Sequence, residues 1–266
     1  MKTRFIQAKS ALNRSGIVKD GWCLNPYGGC AHACRYCYAV FMKRFYNEAA
    51  AWGEFVIVKE NILGLLDHQI SRRRRSSPRS LTSAFSLQPS APPRRVWLSS
   101  VTDCYQPIES KLRLTRGCLE RLLPAGFEVS VLTKSPLVLR DLDLLSRGDA
   151  DVGLTITTDR ADIARVFEER VAPPEKRIET LKRLADAGVK THAFVGPALP
   201  MDPARLAAML KGAAGRVLID RMNYQDKVAG IYRSLRLERC LTDAYFREVF
   251  DAFVAESGEK NVQCCW

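Results

Sequence analysis

Three closely spaced cysteines are the residues of this chain best suited to chemistry. Cys30, Cys34 and Cys37 lie in the run Cys30-Ala31-His32-Ala33-Cys34-Arg35-Tyr36-Cys37. A cubane iron–sulfur cluster takes four cysteine thiolates, so three neighbouring cysteines leave one iron open to a ligand that is not protein. The spacing therefore indicates a catalytic cluster rather than an electron carrier. A structural zinc site is the alternative, although such sites usually pair two cysteines with a second pair or with histidines.

This run resembles the signature of the radical S-adenosylmethionine (SAM) enzymes. The resemblance implies that Cys30, Cys34 and Cys37 ligate a [4Fe–4S] cluster whose open iron binds SAM. In that family the reduced cluster cleaves SAM to methionine and a 5′-deoxyadenosyl radical, which abstracts hydrogen from a carbon atom. Tyr36 matches an aromatic residue that shields the cluster in the family, or it is an ordinary buried tyrosine. We interpret His32 as a loop residue rather than a ligand.

Length and composition favour one globular unit. The chain has 266 residues, 47% of them hydrophobic, which is enough for one sizeable core. The sequence has neither a signal-like apolar segment at its N-terminus nor an apolar run long enough to span a bilayer, so we expect a cytoplasmic protein. In a reducing compartment, nine cysteines favour metal binding or buried thiols over disulfides. The oligomeric state is left open.

The positive charge is concentrated in one stretch. Seven arginines lie between residues 71 and 95, among many serines and prolines and no acidic residue, and without them the formal net charge falls from +12 to +5. We predict a mobile basic insertion at 71–95, which can contact phosphates without sequence specificity. The alternative is a solvated insertion with no partner.

Outside this insertion, short apolar strands alternate with helical stretches. This alternation predicts an α/β fold with a parallel sheet and crossover helices. Six strand–helix units fit the partial (β/α)6 barrel of the TIM type that the resemblance implies, over residues 1–235, followed by a helical extension at 236–266. The predicted strands are 21–25, 96–98, 129–133, 152–157, 190–195 and 217–219, and the predicted helices are 114–123, 137–145, 175–187 and 203–214.

Catalytic side chains should lie at the carboxyl ends of these strands, as in parallel barrels generally. Three runs there, Asn25-Pro26-Tyr27-Gly28-Gly29, Ser99-Ser100-Val101-Thr102-Asp103-Cys104-Tyr105-Gln106-Pro107 and Leu132-Thr133-Lys134-Ser135, resemble the spore photoproduct lyase-like branch of the family. The lyase repairs a thymine dimer in DNA, so the resemblance implies a nucleic acid or nucleotide substrate.

One departure from that branch concerns the hydrogen donor. The lyase has a cysteine just before the Thr/Ser-Asp segment of its second strand, whereas Ser100 and Val101 occupy that neighbourhood here. Cys104, one residue after Asp103, is therefore a candidate catalytic thiol that can also face elsewhere.

A SAM site follows from the chemistry of SAM. Lys134 suits the SAM carboxylate as a point charge, or it is a solvated surface lysine. The end of the second strand, where the family commonly binds the SAM amine, offers Ser99, Ser100, Thr102 and Asp103.

Later strand ends complete the predicted SAM site. Thr155 and Thr157, two residues apart on a strand, can both point towards the ribose. Alternatively, threonine occurs at these positions only because it favours β-strands. Arg170 and Arg177 can bind the SAM carboxylate or a substrate anion through a bidentate fork, or form surface ion pairs. Pro197 lies in a loop that contacts adenine in the family.

A second cysteine set lies near the C-terminus. Cys240, Cys264 and Cys265 can hold a second [4Fe–4S] cluster, which would indicate a sulfur-inserting or auxiliary-cluster enzyme acting on a small molecule. Alternatively one of them is a catalytic thiol, or all are inert.

The sequence thus predicts a radical SAM enzyme that abstracts hydrogen from a nucleic acid or nucleotide derivative. Its electron donor would be a reductant such as flavodoxin or ferredoxin. The alternatives are the auxiliary-cluster enzyme and a non-catalytic nucleic-acid-binding iron–sulfur or zinc protein.

Overall fold

The computed structural model describes residues 1–14, 16, 21–76 and 94–265, with the backbone alone described for 74–76. These residues form two sheets, one of eight strands and one of three. In chain order the strands are β1 (Lys2–Ile6), β2 (Asn13–Arg14), β3 (Trp22–Leu24), β4 (Tyr27–Gly28), β5 (Phe55–Lys59), β6 (Arg95–Leu98), β7 (Glu128–Thr133), β8 (Ala150–Thr155), β9 (Lys190–Val195), β10 (Arg216–Ile219) and β11 (Val262–Cys264).

The large sheet follows the chain order of its parallel strands. Its order is β11-β10-β9-β8-β7-β6-β3-β2, and β2 pairs antiparallel with β3 whereas the other neighbours pair in parallel. In the described part of the chain, the edge strands β2 and β11 do not pair with each other, so the sheet is open. The six predicted strands correspond to β3 and to β6 through β10. The α/β fold with a partial (β/α)6 barrel is therefore confirmed.

Helices connect the parallel strands and cover the outer face of the sheet. On that face Val131, Val152 and Ala193 are fully buried, as expected when crossover helices shield a parallel sheet. The α-helices are α1 (Lys43–Tyr46), α2 (Ile62–Ser76), α3 (Glu109–Leu112), α4 (Leu114–Leu122), α5 (Leu142–Leu145), α6 (Ala161–Phe167), α7 (Pro174–Asp186), α8 (Pro203–Leu210), α9 (Gln225–Ser234) and α10 (Asp243–Ser257). Short 3-10 helices occupy Tyr38–Met42, Pro136–Asp141, Glu238–Leu241 and Glu259–Asn261.

The C-terminal segment is more than the predicted helical extension. It contains α10, which packs against α8 and β11, and it also returns to the sheet. β11 pairs in parallel with β10, with Val262 opposite Val217 and Cys264 opposite Ile219. A seventh parallel strand therefore extends the sheet, and the end of the chain lies at the same edge as the other strand ends.

The predicted basic insertion falls mostly outside the described residues. Residues 77–93 are not described, whereas 71–76 complete α2 and Arg95 begins β6. At its two ends the expected loop is therefore replaced by regular structure. Among the described residues, no helix combines the length and the apolar character needed to cross a bilayer.

The small sheet, with strand order β1-β5-β4, leads the chain into the cysteine run. β4 ends at Gly28, and Gly29 adopts a φ of +70°. A Cβ atom on Gly29 would lie 2.6 Å from the carbonyl oxygen of Phe55. Glycine is therefore required here by both its backbone conformation and the closeness of β5, and it turns the chain towards Cys30.

Buried polar groups fill part of the barrel interior. The Asp151 carboxylate lies 2.8 Å from Nδ1 of His192 and also pairs with Arg216. Gly153 leaves space for the imidazole, because a Cβ atom there would lie 2.1 Å from Nε2 of His192. These contacts join β8, β9 and β10 on the inner face of the sheet.

Replacing Asp151 with Asn removes the charge that joins these three strands. Although burial raises the pKa of the Asp151 carboxyl, His192 and Arg216 lower it below its usual value. The stabilisation is therefore present above the unfolded-state pKa and is lost as the pH falls through the lower folded-state pKa. We expect D151N to lower the free energy of unfolding at pH 7 by about 1–2 kcal/mol, and urea unfolding should show a smaller loss below about pH 4.

Asp149 provides the matched control. Its carboxylate pairs with Lys190 at 2.9 Å, but both side chains are exposed. D149N should change the free energy of unfolding by less than about 0.5 kcal/mol. Equal losses for the two variants would contradict a special role for the interior pair.

Candidate active site

A cavity of about 220 Å³ lies at the carboxyl ends of the parallel strands. Its wall combines residues from the cysteine loop and from the ends of β6 to β10. The predicted site residues that line it are Cys30, Cys34, Tyr36, Cys37, Ser99, Ser100, Thr102, Asp103, Lys134, Thr155 and Pro197. The structure therefore brings most of the predicted SAM site to one place.

The three cysteines of the loop converge on this cavity. Cys30 and Cys34 are buried and Cys37 is half-buried. Burial raises the pKa of the Cys30 thiol well above its usual value, and Asp103, Cys34 and Cys37 raise it further. Burial likewise raises the pKa of Cys34 to about 12. For these cysteines to bind as thiolates, a metal cation would have to displace the thiol protons.

The donor set fits an iron–sulfur cluster. Thiolates are the ligands of such clusters, and Cys30, Cys34 and Cys37 all line the same cavity. Within the described ranges, no three His, Cys, Asp or Glu side chains come close enough to share a single metal ion.

Side chains that follow β6 hold the cysteine loop in place. The fully buried Gln106 accepts a hydrogen bond from the Ala31 amide at 3.0 Å and donates one to Oγ1 of Thr102 at 3.1 Å. The Thr102 hydroxyl in turn donates to the carbonyl oxygen of Gly29. The Thr102 hydroxyl therefore uses its hydrogen to bind the loop backbone rather than a ligand.

The Asp103 carboxylate joins the loop to the end of β7. It accepts hydrogen bonds from the Thr133 hydroxyl at 2.7 Å and from the amides of Lys134 and Tyr105 at 2.8 Å, and it lies 3.2 Å from Nε2 of His32. Burial alone would raise the pKa of Asp103, but His32 and the hydrogen-bond donors lower it to about 2. Asp103 is therefore an anion with its oxygens occupied, and it positions the site.

A second buried carboxylate supports Tyr36. The Tyr36 hydroxyl donates to Glu168, whose other oxygen accepts a hydrogen bond of 2.6 Å from Arg177. The side chains of Glu168 and Arg177 are fully buried, and Arg177 also donates to the carbonyl oxygen of Thr155 at 2.8 Å. This network ties the residue before Cys37 to the end of β8.

Lys134 contributes a cation to the cavity wall beside the cysteines. Its Nζ lies 3.9 Å from Glu168 and 5.7 Å from the ring centre of Tyr36, and its side chain is 16% exposed. Its charge also lowers the pKa values of Cys34 and Cys37 against the dominant effect of their burial. Lys134 therefore lies beside the cysteines with its ammonium group only partly neutralised.

The neighbourhood of Ser100 contains a further thiol. Oγ of Ser100 lies 3.0 Å from Sγ of Cys23, and the Ser100 amide donates to Oδ1 of Asn25 at 3.0 Å. The Tyr38 hydroxyl donates to the Ser100 carbonyl oxygen. These contacts join β3, the cysteine loop and the end of β6 at the cavity wall.

Several predicted site residues lie elsewhere. Thr157 and Cys104 are fully buried and do not line the cavity. Arg170 donates to the carbonyl oxygen of Gly53 at 2.7 Å and borders a second depression rather than the cavity. For Arg177 the expectation of a SAM contact is corrected, because its guanidinium is buried against Glu168.

The C-terminal cysteines do not line the cavity either. Cys240 is buried and its electrostatic neighbours are Arg239, Glu248 and Arg160. Cys264 and Cys265 are exposed. The amide of Cys265 donates to the carbonyl oxygen of Ile219 at 3.0 Å, so this pair lies near the end of β10.

The part of the cavity wall that follows β10 was not predicted from the sequence. Asp220, Arg221, Met222, Asn223 and Tyr224 line the cavity, and the Asn223 amide donates to both oxygens of Asp220. Burial raises the pKa of the Asp220 carboxyl. These residues directly follow the predicted strand at 217–219. Their position at a strand end could therefore have identified them as cavity-lining residues. The other unpredicted lining residues are His32, Tyr38, Ala39, Trp52, Val101, Leu132, Thr133, Phe194 and Gly196.

Glu168 offers a test of the buried network. Glu168→Gln leaves the buried Arg177 guanidinium without its anionic partner, which should lower the free energy of unfolding by about 3–5 kcal/mol. Urea unfolding of the cluster-free protein measures this loss. The neighbouring Glu169 is a matched control, because its side chain is 71% exposed and Glu169→Gln should cost less than about 0.5 kcal/mol. Equal losses in the free energy of unfolding for the two variants would show that the buried pair of Glu168 and Arg177 does not stabilise the fold.

Relatives of this chain have been identified in archaea and bacteria. An uncharacterized protein of Methanocaldococcus jannaschii is 36% identical over 196 residues, which cover 73% of this chain and 67% of that protein. An uncharacterized protein of Mycobacterium tuberculosis is 30% identical over 204 residues, which cover 73% of this chain and 55% of the relative. The match thus spans little more than half of the mycobacterial protein.

The fold has a counterpart among solved structures. A spore photoproduct lyase variant with dinucleoside spore photoproduct superposes with a TM-score of 0.66, covering 99% of this chain and 81% of the lyase at 14% sequence identity. This likeness shows a shared fold. The model of the Radical SAM superfamily matches residues 24–210, the part of the chain that holds the cysteine loop and β6 to β9. The chain therefore belongs to the radical SAM superfamily, and it is a radical SAM enzyme that uses SAM and an iron–sulfur cluster.

Proposed function

We propose that this enzyme holds a [4Fe–4S] cluster on Cys30, Cys34 and Cys37 and uses it to abstract hydrogen from a nucleic acid or nucleotide derivative. One observation carries the proposal: the three loop cysteines and the Lys134 ammonium share one cavity at the strand ends. When bound, the cluster supplies the electron that cleaves SAM reductively. The residues of the chain itself would bind and position SAM and the substrate.

The cavity wall offers a partner for each part of SAM. Lys134 would hold the carboxylate, since its ammonium lies near Cys34 and its side chain lines the cavity. Ser99 and Ser100 lie at the end of β6, where the amine would bind. Thr155 and Pro197, on the following strand ends, would face the ribose and adenine. Asp103 and Arg177 hold these elements in position rather than contacting SAM.

The remaining wall supports a nucleotide-like substrate. Asp220 and Asn223 present hydrogen-bonding groups, and Phe194 and Tyr224 present aromatic rings at the same cavity. Nucleobases are bound through this combination of edge hydrogen bonds and ring stacking. A net charge of +12 would attract a phosphate-bearing substrate. The fold shared with spore photoproduct lyase agrees with this class.

An external reductant is required, and we propose a flavodoxin or a ferredoxin. We place the enzyme in the cytoplasm, because a reducing compartment keeps cysteines such as Cys30, Cys34 and Cys37 available as cluster ligands. The alternative of a non-catalytic nucleic-acid-binding protein is wrong, since the chain belongs to an enzyme family. The sulfur-inserting alternative depends on a second cluster at Cys240, Cys264 and Cys265.

The iron content tests the cluster assignment. After anaerobic reconstitution the wild type should hold about four irons, as one cubane cluster requires. A variant with Cys30, Cys34 and Cys37 all changed to Ala should hold none, because the ligands are gone. The matched control changes Cys240, Cys264 and Cys265 to Ala and should keep all four irons. Four irons remaining in the first variant would instead favour a second cluster and sulfur insertion.

Lys134 tests the SAM site. Lys134→Gln removes the charge proposed for the SAM carboxylate, and hydrogen bonds to charged groups contribute about 1.5–3 kcal/mol. We expect SAM to bind roughly 10- to 100-fold more weakly by equilibrium dialysis, with the iron content unchanged. Lys227→Gln is the control, because its ammonium lies near Cys37 but does not line the cavity. Unchanged SAM affinity in Lys134→Gln would remove Lys134 from the site.

The substrate class needs a test of its own. With SAM and dithionite, the enzyme should form 5′-deoxyadenosine, and deuterium from a deuterated nucleotide or oligonucleotide substrate should appear in it, measured by mass spectrometry. An enzyme that cleaves SAM yet neither binds nor modifies any nucleic acid, nucleotide or nucleoside would overturn this substrate class.

A further inference from the structure

Three aromatic rings stand exposed in a row just after the cysteine loop. Tyr38, Phe41 and Phe45 are 41%, 42% and 64% exposed, and their ring centres are 6.4 and 6.1 Å apart along the row. We call these three residues the aromatic ridge. Large aromatic side chains are normally buried, and a contiguous exposed apolar patch marks a binding surface.

The aromatic ridge begins at the mouth of the cavity. Tyr38 lines the cavity beside Cys37, and Phe41 and Phe45 continue the row outward along the next turns. Tyr224 also lines the cavity and is 42% exposed. A ligand lying along the ridge would therefore reach directly into the proposed active site.

Basic side chains lie close to these aromatic rings. The guanidinium carbon of Arg44 lies 4.9 Å from the ring centre of Phe45 and 5.8 Å from that of Phe41. Lys227 lies 4.5 Å from the ring centre of Tyr224. Residues 38–47 contain Lys43 and Arg44 but no carboxylate. Among the described residues no Asp or Glu forms an ion pair with Arg44, so its charge stays available to an anion.

We propose that the aromatic ridge binds unpaired bases of a single-stranded nucleic acid, with Arg44 contacting the backbone phosphates. The inference rests on the proposed function, because it specifies the form in which the nucleic acid reaches the cavity. Exposed rings combined with basic side chains form the platform on which single strands bind, each base stacking on a ring. In a duplex the base faces are already covered by their neighbours, so the rings discriminate in favour of unpaired bases.

Binding of fluorescent oligothymidylate and oligouridylate 15-mers tests this inference. Anisotropy is measured with the reconstituted full chain, without SAM, at low and moderate salt, and a hairpin duplex serves as the comparison. The double variant Phe41→Ala/Phe45→Ala should bind the single strands about 10- to 100-fold more weakly. Arg44→Gln should weaken binding and reduce its salt dependence.

Phe5 provides the matched control for the loss of exposed aromatic surface. It is 53% exposed on β1 and is not among the cavity-lining residues. Phe5→Ala should leave the affinity within about twofold of the wild type. Circular dichroism and iron content of each variant should match the wild type, because the substituted side chains are exposed.

The outcomes separate this inference from the proposed function. If the wild type binds single strands and Phe41→Ala/Phe45→Ala binds them equally well, the aromatic ridge is not the binding site, although the substrate class stands. If the duplex binds as tightly as the single strands, selectivity for unpaired bases is overturned. If the double variant only slows cluster reduction by flavodoxin, the ridge is a protein-docking surface and the inference fails. If the wild type binds no oligonucleotide, the inference fails together with a nucleic acid substrate.

Discussion

The buried carboxylate of Asp103 is the group on which the geometry of this site depends. It accepts hydrogen bonds from β7 through Thr133 and Lys134, and it faces His32 in the cysteine loop. An anion this deeply buried persists only when its oxygens are occupied. Asp103 therefore fixes the cysteine loop relative to the ends of β6 and β7. This contact sets the position of the cysteines relative to Lys134.

A second anion, Glu168, acts in the same way on the other side of the cysteines. It joins Tyr36 to Arg177, and Arg177 reaches the end of β8. Buried ion pairs add little net stability compared with apolar packing, but breaking one is costly. We infer that the charges around the cavity serve mainly to specify geometry. Both carboxylates also act on the cysteines, because, beyond the effect of burial, Asp103 raises the pKa of the Cys30 thiol and Glu168 raises that of Cys34.

The ends of two strands explain where the structure differs from the sequence-based predictions. Thr155 and Thr157 were predicted to point the same way because side chains alternate along a strand. β8 ends at Thr155, so the alternation no longer applies two residues later, and Thr157 is buried outside the cavity wall. β11 was not predicted, because three residues show no periodicity, and it forms only when β10 offers an edge for pairing.

The sequence by itself determined the alternating strands and helices, and it predicted Cys30, Cys34 and Cys37 as cluster ligands, because both depend on spacing within a few residues. It also indicated most of the cavity wall, since carboxyl ends of parallel strands meet at one edge. Only the tertiary structure decided that Arg177 is occupied by Glu168, that Asp103 binds His32, and that the rings from Tyr38 to Phe45 stay exposed. Burial and pairing between distant side chains arise only when the strands pack together, so local spacing does not encode them.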